Sequence, residues 1–356
     1  MRNKEEIKEL LNHLQTTEGG ELSFDEDAIA ATCLKNNGQS LPIKILSVFG
    51  GIMASCAFLF FLFITGLFDS ETGLLILGAI CTAGAIWIDK TYNKIIMDTL
   101  SVSSYIIGFI LLGFAFGETY MSEDTICCIF IVIALGSLAV VHGYVLSFIS
   151  VMIINGSILT LIIMNDVGGL IHIYVAALAL TISYFFLKEA RLITTNKRLS
   201  KLYNPIRIGL VFSFLSGLII LSMKDLIDMS LNYIWLSSIV IIASIMYLMP
   251  VLFRMLHITG KQYKIGVYVL TLLILLPTAL SPAISGAILI MLLSFRVNYK
   301  TGLALGVIAF ICFISQYYYD LHFTLLTKSI LLFSSGVFFL VLYLFIHTKS
   351  KSDETI

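Results

Sequence analysis

The sequence predicts an all-α fold, a polytopic transmembrane helix bundle of about twelve spans with both termini in the cytoplasm. Composition is the first reason, because 58% of the 356 residues are hydrophobic, 12% are charged and the mean hydropathy is +0.98. Such a chain has too little polar surface to cover a soluble globule. The second reason is the placement of the charges, which lie between the apolar stretches and differ in sign between alternate loops.

Residues 1–42 precede the first apolar stretch and predict a cytosolic N-terminal helical hairpin. Leu10 and Leu14 recur at helical spacing, and Ser23 with Glu26 forms a capping box that opens a second helix. The segment is polar and acidic, unlike a cleavable signal peptide, so we expect the first span to direct insertion. Because so short a segment cannot form an independent core, the hairpin is interpreted as a cap on the membrane domain. A partner-docking module is the alternative.

Residues 43–347 contain the apolar stretches and form the predicted transmembrane bundle, and residues 348–356 form a polar cytosolic tail. Several stretches are shorter than the ~20 residues that a perpendicular helix needs, so their ends are less well defined. The predicted spans are 45–68, 72–88, 95–116, 125–141, 144–164, 167–187, 208–223, 233–252, 265–280, 283–295, 301–317 and 329–347.

The basic residues test this count of spans. Of the 22 lysines and arginines, all but Lys224 and Lys328 fall in segments that a cytoplasmic N-terminus places inside. Lysine and arginine collect in the cytoplasmic loops of membrane proteins. The outer loops instead carry acids, namely Asp69, Glu71, Glu118, Glu123, Asp124, Asp166, Asp225, Asp228 and Asp320. A miscounted span would disrupt this segregation, so the charges favour twelve spans.

The region 265–295 is the most ambiguous part of the bundle. Pro277 and Pro282 interrupt it, so it forms either two short spans or one long kinked helix. One span would place Arg296 and Lys300 outside, and the charges therefore favour two. The outer loops also alternate between tight and long three times along the chain. This alternation suggests three parallel four-helix units, each of four consecutive spans.

Several function classes lack their sequence signatures. No Gly-rich loop is followed by Lys and Ser or Thr, which disfavours pumping driven by ATP. None of the six histidines has a second histidine or an acid at helical metal-ligand spacing within a span, so we expect no metal and no other cofactor. The net charge is zero and no basic block is interleaved with aromatic residues, which argues against nucleic-acid binding.

Three polar residues within or beside the predicted spans are candidate intramembrane sites. Asp98 lies one helical turn from Lys94, so an interfacial ion pair is the simpler interpretation and a proton relay the alternative. Asn155 adjoins Gly156 in a small polar patch, which predicts close helix packing and an interhelical hydrogen bond. His172 is interpreted as a hydrogen-bonded residue between helices rather than as a ligand.

The densest polar group in the sequence lies at the predicted outer mouth of the last span. This outer-face cluster combines aromatic rings with an acid, an imidazole and an amine: Tyr318, Tyr319, Asp320, His322, Lys328 and Ser329. An aromatic belt with a snorkelling lysine is one interpretation. The other is a functional site or structural clasp, because the amine of Lys328 stands in apolar sequence and must reach water or an acid.

The same segment resembles a known family. Residues 317–336, YYYDLHFTLLTKSILLFSSG, resemble the C-terminal signature of the bacterial polytopic membrane family called domain of unknown function 4401. The positions that carry the resemblance are Tyr318, Asp320, Leu321, Leu325, Leu326, Lys328, Ser329 and Gly336, whereas Thr327 departs from the Glu or Gln of the family. The related family of unknown function 2157 has a similar N-terminal hairpin. The resemblance implies a bacterial inner-membrane protein and, in some relatives, a neighbouring gene for a small exported protein with a Gly-Asp-Tyr motif.

Three functions are compatible with the sequence. The leading hypothesis is a non-enzymatic scaffold or partner subunit of an envelope complex. The first alternative is a secondary carrier of a small or amphipathic substrate, which needs a polar cavity near the midplane, whereas a scaffold can be packed dry. The second alternative is a membrane enzyme that acts at the outer face on lipid-linked material, with Asp320 or His322 as acid or base. An enzyme is the less favoured class.

Overall fold

The computed structural model describes residues 41–92, 95–119, 121–141, 143–222, 235–256 and 260–320, with one or two helical positions at a time between 326 and 340. The predicted N-terminal hairpin, most of the last predicted span and the C-terminal tail lie outside the described residues. These three assignments stay predictions. Within the described ranges all regular structure is helical.

The helices of the described ranges are numbered α1 to α12 in chain order. They are α1 (Leu41–Ile64), α2 (Glu71–Thr91), α3 (Ile95–Glu118), α4 (Glu123–Val140), α5 (Tyr144–Met164), α6 (Gly168–Leu187), α7 (Glu189–Thr195), α8 (Lys197–Ser222), α9 (Trp235–Met255), α10 (Lys261–Leu275), α11 (Pro282–Arg296) and α12 (Lys300–Asp320). Short 3₁₀ helices occupy Leu67–Asp69 and Pro277–Leu280.

Eight of the described helices are long and apolar enough to cross a membrane, namely α2, α3, α4, α5, α6, α8, α9 and α12. The prediction of an all-helical, membrane-type fold is confirmed, whereas the count of about twelve spans and their orientation stay predictions. Helix α5 coincides with the predicted span 144–164. Helix α8 begins at Lys197, well before the predicted span 208–223, because lysine and arginine are good helix formers and polarity alone does not end a helix.

The region around the two prolines contains two separate helices. Helix α10 ends at Leu275, the 3₁₀ helix begins with Pro277, and α11 begins with Pro282 in its first turn, where the missing N–H costs nothing. One continuous kinked helix is therefore wrong for this region. Helix α11 has 15 residues, or about 22 Å at the usual rise, which is shorter than a ~30 Å hydrocarbon core. That α10 and α11 each cross the membrane stays a prediction.

The described chain divides after Met121 into two compact units. In the first unit, α2 and α3 approach closely at two glycines. A Cβ atom added at Gly108 would lie 2.8 Å from the amide nitrogen of Thr82 and 3.0 Å from the carbonyl oxygen of Gly78. Ser101 adds a hydrogen bond of 2.7 Å to the carbonyl of Ala85 on the facing helix. Small residues permit such backbone contact between helices in lipid.

The second unit is organised around α11. Ten of its 15 residues are buried, and it packs against α6, α8, α9 and α12. Its buried side chains, such as Leu289 and Leu293, belong to one apolar core with Phe214 and Leu218 of α8 and with Ile245 of α9. A helix that is apolar on all sides is typical of the centre of a bundle. Helix α11 is therefore the central helix of this unit.

The observed boundary between the units does not coincide with the predicted repeat of three four-helix units. That repeat would separate the predicted spans 125–141 and 144–164. In the structure the corresponding helices α4 and α5 pack together, and the hydroxyl groups of Ser137 and Ser150 are 2.9 Å apart in a buried hydrogen bond. The repeat stays a prediction from loop length alone.

Candidate functional site

The most unusual charged residue in the described part of the second unit is Arg207 on α8. Only 8% of this residue is exposed. One of its terminal nitrogens, Nη1, donates to Oε1 of Glu189 on α7 at 3.1 Å, and the other, Nη2, donates to Oδ1 of Asn204 at 2.8 Å. Asn204 stands one turn before Arg207 on the same helix, which explains how a local contact orients the guanidinium. The structure thus buries a cation in the first half of a membrane-type helix.

Three aromatic rings surround the same guanidinium. Its central carbon, Cζ, lies 3.9 Å from the ring centre of Tyr299, 5.0 Å from that of Tyr203 and 5.7 Å from that of Phe186. Ring faces attract a cation, and the attraction grows as water is removed. Burial raises the pKa of the Tyr299 phenol, which the Arg207 charge opposes. We call Arg207, Glu189, Asn204 and these three rings the arginine cluster.

A second arginine ends α11 beside this cluster. Nη1 of Arg296 donates to the carbonyl oxygen of Phe186 at 2.8 Å, and Nη2 donates to that of Leu187 at 3.4 Å. These carbonyls belong to the last turn of α6, where they have no partner within their own helix. A cation at this position also complements the negative end of the helix dipole. Arg296 therefore joins the central helix to the end of α6.

A cleft of about 370 Å³ opens where α6, α9 and α11 end. We call it the end cleft. Glu189 and Arg296 provide its charged lining, and the apolar lining includes Leu187, Val251 and Met255. The carboxylate and the guanidinium are of opposite sign, and each is held by the contacts described above. The cleft can therefore offer a hydrogen-bond acceptor and a donor to one ligand.

The buried charges of the arginine cluster lower the stability of the fold unless their contacts compensate for the loss of water. Removing a charged pair from water costs several kcal/mol, which mutual attraction offsets only with good geometry. Nε of Arg207 is buried and has no hydrogen-bond partner among the described residues. A hydrophobic residue could fill the same space without this cost, so the cluster is a candidate for function or for specifying how the helix ends assemble.

From the sequence, Arg207 and Arg296 are predicted only as charges of cytoplasmic loops, and Glu189 carries no prediction. Their positions carried a usable signal. Arg207 immediately precedes the predicted span 208–223, and Arg296 immediately follows the predicted span 283–295. Charges so close to apolar sequence must reach water or find partners. Which partners they find depends on contacts distant in sequence, such as the bond from Arg296 to Phe186, and could not be inferred.

Two predicted intramembrane residues lie between helices of the second unit. The amide of Asn155 on α5 donates to the carbonyl of Val151 at 2.9 Å and accepts a hydrogen bond of 3.4 Å from the hydroxyl of Tyr174 on α6. Nδ1 of His172 on α6 is 3.2 Å from Oγ of Ser237 on α9. Both residues are buried. Each residue therefore makes a hydrogen bond between helices, and a functional role for either stays a prediction.

Asp98 lies in the first turn of α3 and is exposed. Its expected partner, Lys94, lies outside the described residues, so neither the ion pair nor the proton relay is tested. Another carboxylate nearby in the sequence, that of Asp89, is more buried than the Asp98 carboxylate. Asp89 near the end of α2 is only 6% exposed and engages in contacts of its own.

The structure describes four of the six residues of the outer-face cluster and gives side-chain contacts for three of them. Tyr318 and Tyr319, in the last turn of α12, form an edge-to-face pair with ring centres 5.9 Å apart. Asp320 is exposed and accepts a hydrogen bond of 3.0 Å from the side-chain amide of Gln316. Ser329 is helical and exposed, whereas His322 and Lys328 lie outside the described residues. The clasp between Lys328 and an acid, and an acid or base role of His322 or Asp320, stay predictions.

We expect no metal site in the part of the chain that the structure describes, where histidine, cysteine, aspartate and glutamate are the potential metal ligands. There, no group of three or more histidines, cysteines, aspartates and glutamates is close enough to hold a metal ion.

No curated protein and no solved structure matches the chain. A family model described as Domain of unknown function (DUF4401) matches residues 40–348, which is most of the chain and includes every described helix. The resemblance first noted in residues 317–336 is thereby confirmed over most of the chain. The chain belongs to this family of domains of unknown function, DUF4401.

Proposed function

We propose that this protein is a non-enzymatic scaffold or partner subunit of an envelope complex in the bacterial inner membrane. The observation that carries the proposal is the close apolar packing of the second unit around α11. Helix α11 is the place where a carrier of this architecture would need polar, water-accessible surface. Its buried face instead contacts apolar side chains of α8 and α9.

The hydroxyl groups in this interior support the same proposal. Ser285 on α11 donates to the carbonyl of Pro282 at 3.0 Å, and Ser213 on α8 donates to that of Gly209 at 2.8 Å. Ser183 on α6 makes the same kind of bond to Ala179 at 2.7 Å. These three hydroxyl groups satisfy their own helix backbones rather than pointing into a common polar space. The buried hydroxyl groups of Ser294 on α11 and Ser238 on α9 have no partner among the described residues. The three bonded hydroxyl groups support a rigid interior without convergent donors and acceptors at these positions.

The partner proposed here is a small exported or membrane protein that binds at the outer end of α12. The charge distribution supports an orientation with both termini in the cytoplasm, which puts this end on the outer side. Tyr319 there is 76% exposed. Tyrosine offers a large contact area at little cost in conformational entropy and is enriched in protein interfaces.

Purification from native membranes in a mild detergent tests this function. The full-length protein should elute with a partner in a fixed molar ratio. Tyr319→Ala should lose that partner, while Tyr247→Ala should retain it, because Tyr247 on α9 is similarly exposed at 71% but lies within the apolar belt. Elution of the wild-type protein alone, at normal yield and with normal thermal stability, would count against a scaffold.

A secondary carrier is the second candidate, and one observation favours it. The break between α10 and α11 resembles the interrupted helices on which carriers build their binding sites. Helix α11 begins with Pro282, and Thr278 in the preceding 3₁₀ helix is largely buried. A carrier would require water to reach this break at some stage of its cycle. Accessibility of α11 to water therefore distinguishes the two candidates.

A further inference from the structure

The end cleft combines features that a proposed scaffold does not need. It lies where three helices terminate, so by position it belongs to the level at which apolar membrane meets headgroups. Its volume of about 370 Å³ is at the lower end of the range for small-molecule sites. A site of this size holds a compact polar group and not a whole lipid or a folded segment.

The two charged residues of the end cleft, Arg296 and Glu189, are each oriented by contacts with residues outside their ligand-facing side. The Arg296 guanidinium is oriented by the carbonyls of Phe186 and Leu187, and its other N–H groups are not engaged in these bonds. The Glu189 carboxylate is oriented by Arg207, and about a quarter of it, 27%, is exposed. Positions fixed in this way lose little freedom when a ligand binds.

This arrangement matches one ligand chemistry. A guanidinium binds a phosphodiester with charge-assisted hydrogen bonds. A carboxylate accepts hydrogen bonds from the N–H groups of a primary ammonium. A quaternary ammonium has no N–H group and cannot donate such bonds. Val251 and Met255 add apolar surface on the α9 side of the cleft, against which hydrocarbon can lie. Phosphate, primary amine and adjoining hydrocarbon occur together in an aminophospholipid.

We propose that the end cleft binds the headgroup of a phosphatidylethanolamine-type lipid. The phosphate lies at Arg296, the ammonium lies at Glu189, and the first acyl carbons lie along Val251 and Met255. An anionic lipid such as phosphatidylglycerol satisfies Arg296 but brings no cation to Glu189. A choline lipid brings a cation without an N–H donor. A soluble phosphoethanolamine has no hydrocarbon for the apolar side of the cleft.

Thermal unfolding of delipidated full-length protein in detergent tests this site. Added phosphatidylethanolamine should raise the unfolding midpoint at concentrations about tenfold below those at which phosphatidylcholine or phosphatidylglycerol acts. Soluble phosphoethanolamine should leave the midpoint unchanged at the same concentration. Val251→Phe fills the cleft without touching a charge and should abolish the preference. Val240→Phe, a similarly half-buried valine at the other end of α9, should preserve it.

The variant Glu189→Gln provides an independent test in the same unfolding measurement, since it removes the charge that recognises the ammonium. This variant should respond equally to ethanolamine and choline lipids. Equal responses of the wild-type protein to all three lipids would overturn the proposal, as would a preference that survives in Val251→Phe. A stronger response to phosphatidylglycerol would show that Glu189 takes no part, and a response to phosphoethanolamine alone would exclude the lipid as the occupant.

Discussion

The two compact units of this protein hold their helices together in different ways. In the first unit, α2 and α3 meet through backbone contact at Gly78 and Gly108. In the second unit, a central helix is surrounded by large apolar side chains, and two arginines join the helix ends. Lipid supplies no hydrophobic force between helices, so association depends on close packing or on polar contacts. Both units combine the two solutions, since Gly306 also approaches the backbone at Met291 in the second unit and Ser101 bonds to Ala85 in the first. The comparison teaches that their emphasis differs, with the tightest backbone contact at Gly108 and the charged contacts at the helix ends of the second unit.

The strongest test of this contrast removes the buried cation of the second unit. Arg207→Met should lower the free energy of unfolding by about 3 kcal/mol, because it leaves Glu189 without its partner. Arg198→Met, on the exposed part of the same helix, should change stability little. Thermal or steric-trap unfolding in detergent measures both. The double variant Arg207→Met with Glu189→Met should recover most of the loss, and no recovery would mean that the pair is not the source of the effect.

The corresponding test of the first unit adds one methyl group. Gly108→Ala should cost about 2 kcal/mol, because the new Cβ atom meets backbone atoms of α2 that cannot move independently. Gly84→Ala is the matched control, since a Cβ atom there has nothing within 4 Å. The control should be neutral or slightly stabilising because alanine favours helix. Similar unfolding midpoints for the two variants would show that close approach of the backbones does not hold α2 and α3 together.

A glycine of the second unit should be more tolerant. A Cβ atom at Gly286 on α11 would overlap the side chain of Leu218 and approach the ring of Phe214, both of which are flexible ends rather than backbone. Gly286→Ala should therefore cost about 1 kcal/mol, less than Gly108→Ala. Gly266→Ala on α10, in open space, is the control. We expect Gly108→Ala to lower the unfolding midpoint more than Gly286→Ala does. The reverse order would remove the distinction between the units.

The smallest effect belongs to interhelical hydrogen bonds. Asn155→Leu removes the bond from Tyr174 and should cost about 0.6 kcal/mol, the average for such bonds in a membrane bundle. Thr160→Val on the exposed face of the same helix should have no measurable effect. Unfolding in detergent again provides the measurement. A loss for Asn155→Leu comparable to that for Arg207→Met would place the polar centre of the unit at α5 rather than at the helix ends.

Much of the fold was predictable because hydropathy and charge act locally along the chain. The bounds of α5 and α6 follow from where apolar sequence stops, and Pro277 with Pro282 marks the break before α11. The span count and the orientation are not fixed by helix positions alone. The end of α1 at Ile64, before the predicted limit of 68, depends on the left-handed conformation of Gly66, at φ 73°. Turn geometry of this kind is poorly visible in a hydropathy pattern.

The site was less predictable than the fold. His172 and Asn155 could be selected because a polar residue in an apolar stretch stands out by itself. The arginine cluster could not, because Arg207 and Glu189 look like ordinary interfacial charges until α6, α7 and α8 are assembled. The contacts of Arg296 with α6 span more than a hundred positions of the sequence, since its Nη1 bond joins residues separated by 110. Sequence reasoning identifies isolated exceptions more readily than assembled groups.

The accessibility of α11 to water tests the central claim most directly. In a background without native cysteines, Ser285→Cys and Ala287→Cys place thiols at fully buried positions of the central helix, and Lys300→Cys places one at an exposed helix end. A membrane-impermeant maleimide, applied from each side of the membrane, should label position 300 from one side only. It should leave positions 285 and 287 unlabelled from both sides, as a dry scaffold requires. Labelling of either buried position would contradict the scaffold and favour a carrier.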